Sequence, residues 1–220
     1  MNARKDTMRI FATTPIHVGS AELARRQSRY DELCPDWIRI TLRDLDPDAP
    51  GSLETAADIR ESEERVVEVL RAVPSGYDAV LADCILDPGG PEFAAESEVR
   101  VLGLLRMSFG WEVCTGRRPG AVARNQAIAD ELADRVASYG WADSFSGVEV
   151  LGLGVEAIAV GNQWDEAAAG AVDRLGKTGA VTVINGCSAV ELPPREVAGG
   201  ARLVDPTALA LRLLATGEAR

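Results

Sequence analysis

The sequence predicts an α/β protein with a parallel sheet, on three observations. Short β-branched or apolar runs alternate with amphipathic helical stretches. The runs are apolar throughout, as strands buried on both faces are. Two of them, in GYDAVLADC and TGAVTVINGC, end on a cysteine, Cys84 and Cys187, about half the chain apart. Such alternation calls for right-handed crossovers between parallel strands. The echo between the two cysteine-ended runs fits two similar α/β halves. Ligands bind at the C-terminal strand ends of such halves, so two facing halves would bring both thiols to a shared cleft.

In chain order the strand-like runs are MRIFATT (8–14), WIRITL (37–42), YDAVLADC (77–84), VRVLGL (99–104), WEVCTG (111–116), VEVLGLG (148–154) and AVTVING (180–186). Helical patterns lie between them at 19–33, 52–73, 121–140 and 163–179. In the second of these, Ile59, Val66, Val67, Val69 and Leu70 form an apolar face. Asp58, Glu61, Glu63, Glu64 and Arg65 form a solvated one. Ser52 opens that segment as an N-cap, and Pro74 and Gly76 close it. DLDPDAPGS (44–52) is a connector. DPGGPE (87–92) is a turn-rich loop directly after Cys84, where Asp87, Pro88 and Gly89 are turn formers. Its glycines let main-chain N–H groups approach a ligand closely.

Composition narrows the function. The 220 residues are 46% hydrophobic and 26% charged, enough for one large domain or two small ones. No apolar run is long enough to span a bilayer, and the first residues lack a signal-peptide core, which predicts a cytoplasmic protein. A net charge of −11 repels phosphate backbones and anionic lipid, so neither nucleic acid nor membrane is an expected partner. Four cysteines without a CxxC pair suggest neither zinc nor a redox dithiol, and His17, the single histidine, supplies little imidazole chemistry. No metal and no cofactor are expected.

The thiols are the remaining chemistry. A cysteine at a strand end, entering the N-terminus of the next helix, would sit in a potential that favours thiolate. Two such groups on opposite faces of one carbon can move a proton, one removing it and the other delivering one from the far side. A free cysteine is also a common buried packing residue. Cys34, before Pro35 at a helix end, and Cys114, inside the WEVCTG run, are read as packing or exposed residues without a catalytic part.

DCILDPGGPEFAAESEVRVLGL (83–104) and INGCSAVELPP (184–194) resemble the two cysteine loops of the aspartate/glutamate/hydantoin racemase superfamily, nearest to its hydantoin racemase-like branch. RIFATTP (9–15), EVCTG (112–116) and RLVDPTALALRLL (202–214) are similar to its first strand and loop, its fifth strand, and its closing strand and helix. The resemblance implies two pseudo-symmetric lobes, each a short, mainly parallel sheet flanked by helices, with the active site in the cleft between them. Residues 1–102 and 205–220 would form the first lobe and 103–204 the second.

By the same resemblance Cys84 and Cys187 are paired catalytic bases of a cofactor-independent isomerase. Thr13, Thr14 and Pro15 lie in the loop after the first strand, Thr115 in the loop after the fifth, and Gly186 and Ser188 flank the second cysteine. Hydroxyls and N–H groups there would hold a carboxylate or ring carbonyl of a small substrate, a carboxylate or cyclic imide, and stabilise the carbanion. His17 is a further candidate contact. The chain departs from the amino-acid racemases in its ATTPIHV loop and in Ile85-Leu86, where they carry Asp-Ser-Gly and Asn-Thr. Ile85 at the site favours an apolar substituent over free glutamate or aspartate. A maleate isomerase-like enzyme, an arylmalonate-type decarboxylase and a non-catalytic ligand-binding homologue stay open. A homo-oligomer is expected from the resemblance alone.

Overall fold

A computed structural model describes residues 7–158, 161–192 and 200–217. Two four-stranded sheets repeat one plan. In the first, β1 (Met8–Thr13), β2 (Ile38–Arg43), β3 (Ala79–Ala82) and β4 (Arg100–Leu102) lie in the order β2-β1-β3-β4. In the second, β5 (Gly120–Ala123), β6 (Val148–Val150), β7 (Thr182–Asn185) and β8 (Arg202–Val204) lie in the order β6-β5-β7-β8. All the paired strands are parallel. The helices are α1 (Gly19–Leu33), α2 (Ala56–Arg71), α3 (Gly90–Glu96), α4 (Leu104–Cys114), α5 (Gln126–Ser138), α6 (Gly161–Lys177) and α7 (Pro206–Gly217).

Local chemistry explains the element ends. Cys34 is extended because Pro35 follows it, which stops α1. A capping box between Thr55 and Asp58 starts α2, so the N-cap is Thr55 and not Ser52; only Thr55 stands three residues before a carboxylate that can reach back. Asn125 caps α5 through the Ile128 N–H, and Asp205 bonds the Ala208 N–H with Pro206 at the first position of α7. Asp87, at φ 44°, turns its carboxylate onto the Leu105 and Arg106 N–H groups at the start of α4. Gly103 is required there, since a Cβ would stand 2.4 Å from Asp87 Oδ2.

Two expected elements move. WEVCTG is the end of helix α4, whose buried residues Leu104, Leu105, Ser108, Phe109 and Glu112 repeat at helical spacing. The fifth strand is Gly120–Ala123, which takes up the first three residues of the 121–140 stretch expected to be helical. Its alanines have helical propensity, but pairing with β6 and β7 on both edges overrides it. The acidic face of α2 is also not wholly solvated, because Glu63 pairs with Arg135 of α5 at 2.8 Å and accepts the Gly89 N–H. The largest hydrophobic cluster runs through both halves, joining Ile10, Val80 and Leu105 to Ala121, Leu132 and Ile184. α7 packs against α4 and α1.

Candidate active site

Cys84 and Cys187 follow their strands identically. The residue after the strand end bonds back across the sheet, Asp83 N–H to Thr13 O and Gly186 N–H to Val122 O, both at 2.8 Å. The cysteine then opens a tight turn, closed by Asp87 N–H to Cys84 O at 3.4 Å and by Val190 N–H to Cys187 O at 3.3 Å. Gly186 admits no side chain, since a Cβ would lie 2.1 Å from Val122 O.

The two turns meet across a cavity of about 60 Å³. Both cysteines, Pro15, Ile85, Leu86, Gly186 and Ser188 line it, with Leu53, Ile128, Val155 and Ile158 making it mostly apolar. It shares Ile16, Arg26, Val155, Ile158 and Ala189 with an outer vestibule of about 730 Å³, whose polar rim includes His17, Glu22, Arg25, Asp165 and Glu191.

The sulfurs sit in different fields. Burial pushes the Cys84 thiol up to about 12; the Leu86 N–H opposes this, while Asp83, Asp87 and the Cys187 sulfur add to it. Burial also raises the Cys187 thiol, against the Ala189 and Val190 N–H groups and the Arg26 guanidinium. Both therefore rest as neutral thiols, and the Arg26 guanidinium works against the rise at Cys187. The expected helix-dipole effect is not the cause, because the N–H groups serving each sulfur belong to its own turn.

A buried polar network joins the halves behind the thiols. Asp83 accepts Arg26 Nη1 at 3.0 Å and the Tyr30 hydroxyl at 2.8 Å, and its carbonyl accepts Ser188 Oγ at 2.9 Å. Arg29 donates to Ser188 O and to Asp205, and Arg25 donates to Ala189 O at 2.9 Å and to Glu191 at 2.7 Å. α1 thus grips the Cys187 turn with alternate arginines. In return Arg124, directly after β5, reaches Leu53 O at 3.0 Å and Glu54 at 2.7 Å. Arg25 holds Glu22 down to about 2.

Among the expected site residues, the structure brings Cys84, Cys187, Pro15, Ile85, Gly186 and Ser188 to one cavity. His17 lies in the vestibule, its Nδ1 held by Leu45 O at 2.8 Å and Asp44 at 3.1 Å. Thr13 and Thr14 are fully buried and line neither space, and Thr14 Oγ1 is occupied by Asp44 and the Leu45 N–H. Thr115 is displaced: it caps the C-terminal end of α4, bonding Trp111 O and Glu112 O, and lines neither space. That correction follows from the misplaced fifth strand. Pro193 and Pro194 of the second motif lie outside the described residues.

Arg26 and Arg124 were not expected at the site. The real β5 carries the signal for Arg124, which directly follows its last residue as Thr14 follows the last residue of β1. Arg26 has no such signal, because a helical arginine's direction depends on what its helix packs against.

A model of the Asp/Glu/Hydantoin racemase family matches residues 29–214. No curated protein matches by sequence. Among solved structures, allantoin racemase from Pseudomonas fluorescens superposes with a TM-score of 0.78 at 15% identity, covering 95% of this chain and 90% of its own. Allantoin racemase from Klebsiella pneumoniae gives 0.75 at 16% identity, over 96% and 87%. A liganded arylmalonate decarboxylase variant gives 0.61 at 18% identity, over 97% and 95%. With its two repeated parallel sheets and a family match over most of its length, the chain belongs to the Asp/Glu/hydantoin racemase family, a family of isomerases.

Proposed function

We propose that the chain is a cofactor-independent racemase or epimerase acting at a carbon next to a carbonyl, with Cys84 and Cys187 as the two bases. The observation that carries this reading is the pair of thiols lining one small, mostly apolar cavity from two facing halves. One sulfur, as thiolate, takes the α-proton; the other, as thiol, returns a proton to the opposite face. Gly186, Ser188 and the turn N–H groups shape the space around the reacting carbon. The apolar walls at Ile85, Leu86 and Ile128 favour a substituted hydantoin or amino-acid derivative over a dicarboxylate. Residues 1–102 with 205–220 and residues 103–204 are the two lobes in this reading, and a cytoplasmic setting would keep the thiols reduced.

The test is incubation with single enantiomers of substituted hydantoins in deuterated water. Solvent deuterium should enter the α-position with loss of optical activity, and Cys84→Ser or Cys187→Ser should each lower the rate by about 10²–10⁴-fold. Absence of exchange with every enantiomer sinks the reading. The arylmalonate decarboxylase likeness supports a second one, decarboxylation using Cys187 alone. Release of carbon dioxide that survives Cys84→Ser would establish it instead.

A further inference from the structure

We propose that Arg26 is a substrate-binding residue whose Nη2 edge takes the oxygen on which charge develops when the α-proton leaves. The inference rests on the two-thiol reading and adds a group that it lacks, a donor for that oxygen. The Arg26 side chain is 7% exposed, and it lines both the cavity and the vestibule. Its Nε donates to Glu22 at 2.8 Å and its Nη1 to Asp83 at 3.0 Å. Nη2 makes no hydrogen bond to a described residue, so two N–H donors remain for an occupant of the cavity. The other nearby guanidiniums are committed: Arg124 uses both terminal nitrogens on Leu53 O, Leu153 O and Glu54, and Arg25 uses all three on Glu22, Glu191 and Ala189 O.

The charge balance indicates the class of substrate. Two carboxylates, Glu22 and Asp83, face this one guanidinium, leaving no positive surplus for a resting dianion. A planar carbonyl compound of at most one negative charge fits, and its oxygen gains charge only as the reaction proceeds. When the thiolate removes the α-proton, the C–H electron pair moves into the carbonyl system and gives an enolate. Arg26 holds that oxygen without losing a proton, and the opposite thiol then protonates the carbon and becomes the thiolate. Such an interaction strengthens on the way to the transition state.

Calorimetric binding to the full chain tests this with two probes of similar ring: barbiturate, a planar anion with enolate-like charge, and neutral dihydrouracil. The wild type should bind barbiturate more tightly. Arg26→Gln should lose barbiturate affinity by about 10²-fold, the order of effect of an oxyanion donor, with dihydrouracil unchanged. Equal loss of both, retention of both, or no preference in the wild type overturns the assignment. If melting shows that Arg26→Gln is unfolded, Arg26→Lys keeps a cation opposite Asp83 without the Nη2 edge, and the same loss is expected. Neither probe needs turnover. Absence of hydantoin exchange with barbiturate discrimination intact sinks the two-thiol reaction alone, and the reverse pattern sinks Arg26 alone.

Discussion

The Cys84 and Cys187 turns share a backbone and differ in what surrounds the sulfur. Each cysteine stands two residues past a central strand and opens a turn closed by the residue three positions on. At that closing position Asp87 stands in one turn and Val190 in the other. At the preceding position Asp83, bound to Arg26 and Tyr30, corresponds to Gly186, pressed against Val122 O. Two carboxylates therefore raise Cys84 against one N–H group, while Cys187 has one carboxylate against two N–H groups and a guanidinium. The repeated fold sets where the sulfurs stand, and the unrepeated side chains set how readily each gives up its proton.

Removing either sulfur is the largest perturbation. Cys84→Ser and Cys187→Ser should each lower α-proton exchange by about 10²–10⁴-fold, and wild-type exchange in either variant breaks the pairing. Asp83→Asn comes next in stability. It leaves the buried Arg26 with Glu22 as its one remaining carboxylate among the described residues and should cost about 2–3 kcal/mol by urea unfolding. The equivalent residue of the second turn fails for another reason. Gly186→Ala should cost about 1–3 kcal/mol because the strand end must move away from Val122 O. Equal sensitivity to neutral, small side chains at both positions would erase the contrast.

Ionisation sharpens it further. In a Cys34→Ser, Cys114→Ser background, iodoacetamide should modify Cys187 at lower pH than Cys84, whose transition lies near 12. The reverse order would overturn the contrast between the two turns. Because folding raises both thiol pKa values, unfolded thiols ionise first, from about 9, and stability should fall as pH rises from there toward 12. The smallest effect belongs to Asp87, which burial raises to about 6 against the N–H groups of α4 and the Tyr139 hydroxyl. Its carboxyl carbon signal should titrate near 6, and stability should fall from about pH 4 to 6 as the unfolded carboxylate ionises first. A midpoint near 4 would show Asp87 solvated.

Local sequence pattern specifies the α/β class, most of the strands, the four long helices expected and the two cysteine turns. Those features are written in runs of neighbouring residues: apolarity along MRIFAT and TVIN, helical spacing in α2, and glycine or proline at the breaks. It misread GAVA and WEVC because four-residue segments carry too little pattern, and the pairing of β5 between β6 and β7 outweighs alanine's helical preference. That single error carried Thr115 into the site and left Arg124 out. Folding brings the Thr14 hydroxyl to Asp44, turns Arg26 of α1 into the cavity, and surrounds the two thiols with different charges. These depend on which surfaces meet across the halves, and burial and charge act through space between residues far apart in the chain.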